Sequence, residues 1–461
     1  MPVYTVSHVQ NIRICVVMVG LPARGKSFIS QKIVRYLSWL SIKARSFNVG
    51  NYRRRQQSHP SADFFDSHNE DGLKIRAEAA RDAVVDMMKF FNEEDGVVAI
   101  LDATNTTKAR REWILELCRE NSIEPMFLES WCDDEKIVMN NIRDVKVSSP
   151  DYVDTDPDTA AMDFQKRIEK YREIYEPLEV DTNKDLTFVK LINVNEQVII
   201  NKIETYLESR IVYYVMNLHI KPRSIYLSRH GESMYNLEGK IGGDADLSER
   251  GWQYARKLPN MIKNVLRING EEEEDDDDGD EDVQLTVWTS TLKRTQQTAS
   301  FLRYPKLQWK ALDELDAGAC DGLTYEEIEK KFPQDFKERD ENKYEYRYRG
   351  GESYRDVVIR LEPIIMELER QENILIITHQ AVLRCIYAYF MNVPQEESPW
   401  MSIPLHTLIK LDPRAFKTMV ERIKADIPAV STYKEKGTSQ LGEIEDANNK
   451  SKNLITGAPS R

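Results

Sequence analysis

The sequence predicts an α/β protein made of two doubly wound domains, and three observations carry that prediction. At 461 residues the chain is longer than a single hydrophobic core usually serves. Each half alternates short apolar, β-branched runs with helical periodicity, the pattern of strands joined by crossover helices. Between the halves, Lys221-Pro222-Arg223 interrupts the periodicity and a new strand begins at Ile225. The expected boundaries are 1–220 and 221–435, with 436–461 a polar, aperiodic tail read as disordered.

Taken in order, the first half offers strands at Ile14 to Val19, Ala44 to Val49, Val97 to Leu101, Pro125 to Leu128 and Thr187 to Ile192. Helical patterns fall near Phe28 to Trp39, Leu73 to Phe91, Arg110 to Glu120 and Met162 to Tyr175, and Glu196 to Met216 reads as one long amphipathic stretch. The second half offers strands at Ile225 to Leu227, Leu285 to Trp288 and Ile374 to Ile377, each followed by a helical stretch. Parallel sheets are the natural expectation for such an order.

Composition excludes several classes of protein. A chain 41% hydrophobic and 31% charged is globular, and it holds no apolar run long enough to cross a bilayer. Its first twenty residues lack the basic, apolar and small-residue succession of a secretory signal. The five cysteines are dispersed without CxxC spacing, as expected of reduced thiols in the cytoplasm. Of the net charge of −13, eleven negative charges lie between Glu271 and Asp282, so the rest of the chain is close to neutral. That block reads as a solvated insertion in a surface connection, and neither nucleic acid nor membrane is an expected partner.

Two constellations carry chemistry. The first is Gly20-Leu21-Pro22-Ala23-Arg24-Gly25-Lys26-Ser27, which fits GxxxxGK[ST] directly after a strand and directly before a helix. Its glycines let backbone N–H groups close around phosphate oxygens at a helix N-terminus. Lys26 is placed to reach the outer phosphates of ATP, and the Ser27 hydroxyl to ligate Mg²⁺. Asp102 ends a buried strand, where a second Mg²⁺-associated carboxylate belongs, although a helix cap from Asp102 or Thr104 is the simpler alternative. The basic residues of this half, Arg53, Arg54, Arg76, Arg110, Lys146 and Arg167, suit a second, phosphorylated substrate.

The second constellation lies at strand ends of the other half. Arg229-His230 follows Ile225-Tyr226-Leu227-Ser228, His379 follows Thr378 at the end of another strand, and Arg294 lies just after Thr289-Ser290 at a third. Ligands of open α/β sheets bind outside such ends. Guanidinium groups hold phosphate oxygens in pairs, a neutral imidazole can attack phosphorus, and an acid must protonate the departing alkoxide. Glu314 is the candidate acid. No metal or cofactor is expected there.

These motifs together resemble the bifunctional 6-phosphofructo-2-kinase/fructose-2,6-bisphosphatase family, from about Asn11 to about Glu435, and most of all its fungal members with an intact bisphosphatase half. The resemblance rests on GLPARGKS at 20–27, NVGNYRR at 48–54, DATNTT at 102–107 and SSPDY at 148–152. In the second half it rests on RHGES at 229–233, TSTLKRTQQTA at 289–299, YRYRGGESY at 346–354 and THQAVLRC at 378–385. It implies a P-loop kinase domain followed by a histidine-phosphatase domain of the phosphoglycerate-mutase type. Residues 20–27 would hold ATP and Mg²⁺, and Asp102 would be the kinase carboxylate. Fructose 6-phosphate would be held by Arg53 or Arg54, Arg76, Thr104, Arg110, Lys146, Arg167 and Tyr171. In the phosphatase half His230 would take the 2-phosphoryl group, with Arg229, Arg294 and His379 around it and Glu314 as acid, then base. Asn236, Gly242, Tyr325, Arg339, Lys343, Tyr354, Gln380 and Arg384 would bind the sugar and its 6-phosphate.

The chain departs from the family pattern at Thr155, where many members have cysteine, at Arg172, where glutamate is usual, and at Phe416, where tyrosine is usual. The first two bear on the strength of the kinase. The resemblance implies fructose 2,6-bisphosphate hydrolysis with synthesis by the first half, in a small-molecule enzyme that could form a homodimer. Two competing readings are a kinase and phosphatase for another sugar phosphate, and a sensor that binds ATP and sugar phosphates without turnover. Substrate profiling separates the first, and trapping a phosphohistidine separates the second.

Overall fold

The structure is a computed structural model that describes residues 12–56, 61–148, 150–152, 156–218, 223–269, 285–413 and 418–433. The acidic block, the polar tail, Thr155, Phe416 and the Lys221-Pro222 break lie outside those residues. The chain divides into two compact units, Met1–Ile220 and Lys221–Arg461.

The first unit is built on a six-stranded sheet of β1 (Ile14–Val19), β2 (Ala44–Asn48), β3 (Val98–Asp102), β4 (Glu124–Trp131), β5 (Phe188–Ile192) and β6 (Gln197–Asn201). Their spatial order is β2-β3-β1-β4-β5-β6, with every neighbouring pair parallel except β5 and β6. Period-2 alternation sends Cys15, Val17 and Val19 of β1 to one face, where they pack with Ala99, Leu101 and Phe127. Helices Glu70–Glu93 and Lys108–Glu120 cover that face with Ala79, Ala83, Met87, Phe90 and Ile114. Burying each large apolar side chain contributes roughly 1.5–3 kcal/mol. The caps follow from sequence: Asn69 accepts from Gly72 N and Thr107 from Arg110 N, as short polar side chains do at helix starts.

One expected element is corrected. Residues 196–216 are not one amphipathic stretch but strand β6 followed by helix Tyr206–Met216. Val198, Ile199 and Ile200 favour the pleated backbone and pair antiparallel with β5, and Thr205 with Glu208 then starts the helix through a capping box.

The second unit repeats the layout with β7 (Ile225–Arg229), β8 (Thr286–Thr289), β9 (Lys306–Gln308), β10 (Ile374–Thr378), β11 (Thr407–Pro413) and β12 (Thr418–Lys424). The order is β12-β11-β7-β10-β8-β9. Strands β7 to β10 run parallel, whereas β11 and β12 are antiparallel additions, so both sheets are mixed and not parallel throughout. Tyr226, Val287, Leu375 and Ile377 meet Tyr254, Leu258 and Ile262 of helix Glu249–Asn269 in its core. Each sheet turns its winding direction beside its central strands, β1 and β3 in one unit and β7 and β10 in the other. Their carboxyl ends are where such folds open a crevice.

Candidate active sites

In the first unit, the turn after β1 wraps into helix Lys26–Trp39 through backbone that only glycine takes easily. Gly20 has φ +136°, and a Cβ there would lie 2.5 Å from the Ser130 carbonyl oxygen. The loop is tied from outside: Gly20 N donates to Thr104 O (3.0 Å), Ser130 Oγ to Arg24 O (2.5 Å) and Asn141 Nδ2 to Ala23 O (3.0 Å). Arg24 itself donates to Cys132 O (2.6 Å) and Pro22 O (3.1 Å), which makes it a brace of the loop. Lys26 is buried and donates to Leu21 O at 2.6 Å within the loop, and burial pulls its ammonium down to about 7.

Asp102 ends β3 beside it. Its carboxyl is pushed up by burial, against the opposing pull of a Ser27 hydrogen bond and the Lys26 charge. Asn48 Nδ2 bridges the two oxygens, 2.5 Å from Asp102 Oδ2 and 3.4 Å from Ser27 Oγ. Asn48 lies in the NVGNYRR motif, and this role is not legible in the sequence because nothing in its spacing says that β2 lies beside β3. Ser27 and Asp102 thus present hard oxygen donors side by side, the ligand type Mg²⁺ takes. Among the described residues no cluster of three His, Cys, Asp or Glu side chains is placed to hold a metal ion.

The basic residues meant for the second substrate are only partly gathered. Arg53 and Arg54 of helix Val49–Gln56 and Arg167 of helix Pro157–Arg172 converge on Asp151, at 2.7, 3.4 and 3.3 Å. Although burial pushes the Asp151 carboxyl up, the Arg53 and Arg167 charges hold it below its ordinary value. The Arg167 guanidinium also lies 3.8 Å from the Phe65 ring centroid. Arg76 donates to the Phe65 and Asp66 carbonyls and sits 6.0 Å from the Tyr171 ring. Arg110 lies apart, against Trp113, with burial and Arg81 lowering it to about 10. Thr104 contributes its backbone oxygen to the phosphate loop. The Lys146 side chain is outside the described residues. Asp151 and Phe65 were missed by sequence reasoning, since a carboxylate among arginines has no local signature.

In the second unit the strand ends do meet. Thr378 pairs with Arg229 in register, His230 N donates to Thr378 O (3.0 Å), and the His230 and His379 rings lie 5.2 Å apart. His230 Nδ1 is 2.7 Å from the Gly231 carbonyl. A carbonyl can only accept, so the proton sits on Nδ1 and the Nε2 lone pair is left for an electrophile. Burial first, then the Arg294 and Arg229 charges, hold His230 well below its ordinary range, so the ring is neutral. His379 is depressed in the same way.

Arg229 donates to Ile403 O (2.9 Å) and Thr432 Oγ1 (2.7 Å), and burial lowers it to about 9. Arg294 donates to Gly243 O at 2.6 Å. The Glu314 carboxylate accepts from Gln380 N and Ala381 N, both at 3.1 Å, where helix Gln380–Met391 begins just after His379. Arg229, His230, Arg294 and Glu314 line one cavity, together with Asn236, Gly242, Tyr325, Arg339, Lys343, Tyr354, Gln380 and Arg384. His379 lies behind this lining, fully buried. Around the far side, Arg384 bonds Tyr354 Oη (3.0 Å), Arg339 bonds Tyr348 Oη (2.8 Å) and Tyr325 Oη (3.1 Å), and Lys343 bonds Pro399 O (3.0 Å). Asn236 lies within the short helix Met234–Leu237, whose cap is Ser233, and accepts from Ser233 N (2.9 Å); Gly242 makes room for Asp321 Oδ1, which would lie 1.7 Å from a Cβ. Tyr346, Tyr348, Ser431 and Thr432 also line the cavity and were not foreseen. Ser431 and Thr432 follow β12, a strand the sequence had not disclosed.

No helix among the described residues is long and apolar enough to cross a membrane. The chain matches the family model of 6-phosphofructo-2-kinase over residues 2–222 and that of the histidine phosphatase superfamily, branch 1, over residues 225–426. It is 64% identical to a fructose-2,6-bisphosphatase of Saccharomyces cerevisiae, over 99% of this chain and 98% of that one. It is 50% identical to a 6-phosphofructo-2-kinase/fructose-2,6-bisphosphatase of Aquarana catesbeiana, over 91% and 87% respectively. A human 6-phosphofructo-2-kinase/fructose-2,6-bisphosphatase 4 shares 48% identity over 92% of this chain and 88% of its own. With both halves matched in order and along nearly the full length, the chain belongs to the 6-phosphofructo-2-kinase/fructose-2,6-bisphosphatase family.

Proposed function

We propose that residues 221–435 hydrolyse fructose 2,6-bisphosphate to fructose 6-phosphate and phosphate, and that residues 1–220 make the same bisphosphate from fructose 6-phosphate and ATP. The observation that carries the hydrolytic reading is the neutral His230, with Nε2 free inside a cradle of Arg229 and Arg294. In this reading Arg339, Lys343, Tyr354, Gln380 and Arg384 hold the sugar and its 6-phosphate. Asn236, Gly242 and Tyr325 complete that wall. His230 Nε2 attacks the 2-phosphorus and the bond to the C2 oxygen breaks. Glu314, carrying a proton, delivers it to that oxygen. Fructose 6-phosphate leaves, and Glu314 takes a proton from a water that attacks the phosphohistidine and frees phosphate. Charge on the phosphoryl oxygens is met throughout by Arg229, Arg294 and His379.

For synthesis, a kinase domain of this family uses ATP, and residues 20–27 supply its phosphate cradle. Mg²⁺ would be held by Ser27 and Asp102 and would offset negative charge on the transferred phosphoryl group. Asp102 takes the proton of the sugar hydroxyl, and Lys26 steadies the outer phosphates. Arg53, Arg54, Arg76, Thr104, Arg110, Lys146, Arg167 and Tyr171 would position fructose 6-phosphate. By controlling one bisphosphate in both directions, such a chain sets the balance of glycolysis and gluconeogenesis. We extend the reading to a cytoplasmic homodimer with small-molecule ligands only; sedimentation and fractionation test those two points.

Assaying both directions on one preparation tests the whole proposal. Hydrolysis should proceed without ATP, survive Asp102→Ala and vanish in His230→Ala. ATP-dependent synthesis should show the reverse pattern. Loss of both activities in either variant would contradict the assignment of one reaction to each half.

A further inference from the structure

His379 poses a tautomer question that its neighbours answer. The ring is fully buried, and burial with the nearby Arg294, His230 and Arg229 charges keeps it neutral, so one nitrogen alone carries a proton. Nε2 lies 2.7 Å from Ser290 Oγ. Nδ1 is buried and has no hydrogen-bond partner among the described residues. A buried polar atom left unpaired is costly; with the His230 ring 5.2 Å away, the phosphoryl group that His230 takes in the proposed reaction is the acceptor within its reach.

Ser290 is itself wholly buried, one residue beyond β8. Its oxygen accepts from Leu292 N (3.2 Å) and lies 2.8 Å from Thr295 Oγ1. Leu292 O, the carbonyl 2.8 Å from Thr295 Oγ1, already accepts from Thr295 N (3.2 Å) and Gln296 N (3.4 Å), so the Thr295 hydroxyl can give its proton to Ser290 Oγ. The Ser290 proton can therefore go to His379 Nε2, leaving Nδ1–H as a donor. Were the ring to donate from Nε2 instead, a bare Nδ1 lone pair would face an anionic phosphoryl group, which is repulsive. The tautomer at one ring nitrogen is set by the bond made at the other.

We propose that Ser290 is a positioning residue for bisphosphate hydrolysis: its hydroxyl donates to His379 Nε2, holding that ring as the Nδ1–H tautomer that donates to the transferring phosphoryl group. The inference rests on the hydrolytic reading of the site, but the tautomer is a property of the resting protein. Ser290 never touches the substrate; it acts through His379. Groups that orient a metal-bound histidine typically matter by about 10- to 100-fold in activity, and a loss of the same order is expected here.

The test has two arms. Histidine side-chain ¹⁵N–¹H correlation spectra of the full chain, with the His379 signal assigned by comparison with His379→Gln, read the tautomer directly. The expected resting state is protonated at Nδ1, shifting toward Nε2–H in Ser290→Ala; an Nε2–H resting state overturns the proposal, whatever the activity. In the second arm, kcat and KM for fructose 2,6-bisphosphate are measured for Ser290→Ala, His379→Ala and the double variant, with melting points alongside. Ser290→Ala should lower kcat by about 10- to 100-fold with KM little changed, and should cost nothing further in the His379→Ala background. Additive losses would show that Ser290 serves the fold and not His379. If the resting tautomer is as expected while the wild-type protein leaves the bisphosphate intact, the hydrolytic reading fails and the assignment of the tautomer to Ser290 stands.

Discussion

At the scale of single residues, the phosphatase half was the more legible, because its key side chains stand at strand ends and strand ends are visible as apolar runs. Arg229, His230 and His379 could be placed together from that fact alone; Ser431, Thr432 and Tyr348 could not, since tertiary packing brings them in. Arg294 illustrates what the structure adds. Arg294 is buried and not a surface charge; it holds Gly243 O and lines the cavity that holds His230. Arg294→Ser should lower kcat/KM for fructose 2,6-bisphosphate by about 10²- to 10³-fold, roughly 3–4 kcal/mol, as removal of one preorganised donor does. Steady-state kinetics beside thermal midpoints checks this; unchanged kinetics removes it from the cradle. The buried histidines also have a pH signature. His230 and His379 are depressed in the folded chain, so as pH falls below about 6.5 the unfolded chain binds protons that the folded chain refuses. Stability should therefore fall with falling pH through that value, and His230→Gln should flatten the dependence. Calorimetry between about pH 7 and about pH 5.5 measures it.

At the scale of elements, β1 was readable residue for residue, because six consecutive apolar residues with β-branching have one sensible fate. The antiparallel edges were not. Strand β6 was merged into the helix after it, since its apolar residues also satisfy helical spacing, and β11 with β12 carries lysines and arginines that blur alternation. The phosphate loop was legible because its demands are local. Those demands predict that Gly20→Ala, forced into a left-sided backbone and against the Ser130 carbonyl, distorts the loop at a cost of roughly 1–3 kcal/mol. ATP affinity should drop by about tenfold or more. Bisphosphate hydrolysis should be unaffected, and calorimetric titration with ATP beside a phosphatase assay reads both.

At the scale of the whole molecule, two sheets with separate cores and separate crevices predict separable activities. A fragment beginning near Lys221 keeps every described strand of the second unit, so it should fold and hydrolyse the 2-phosphate without ATP. A soluble, cooperatively melting but inert fragment would show that the phosphatase needs the other half. The distribution of arginines differs between the halves: in the first unit three of them close on Asp151, whereas in the second Arg229 and Arg294 line the same cavity as His230 and bond carbonyl and hydroxyl oxygens. Hydrolysis by this route requires that His230 accept the phosphoryl group, and rapid acid-free quenching with fructose 2,6-bisphosphate labelled at the 2-phosphate would trap it there. Label should appear, base-stable and acid-labile, on the peptide containing His230, and should be absent from His230→Ala. Label on another residue, or label that persists in the variant, would contradict it.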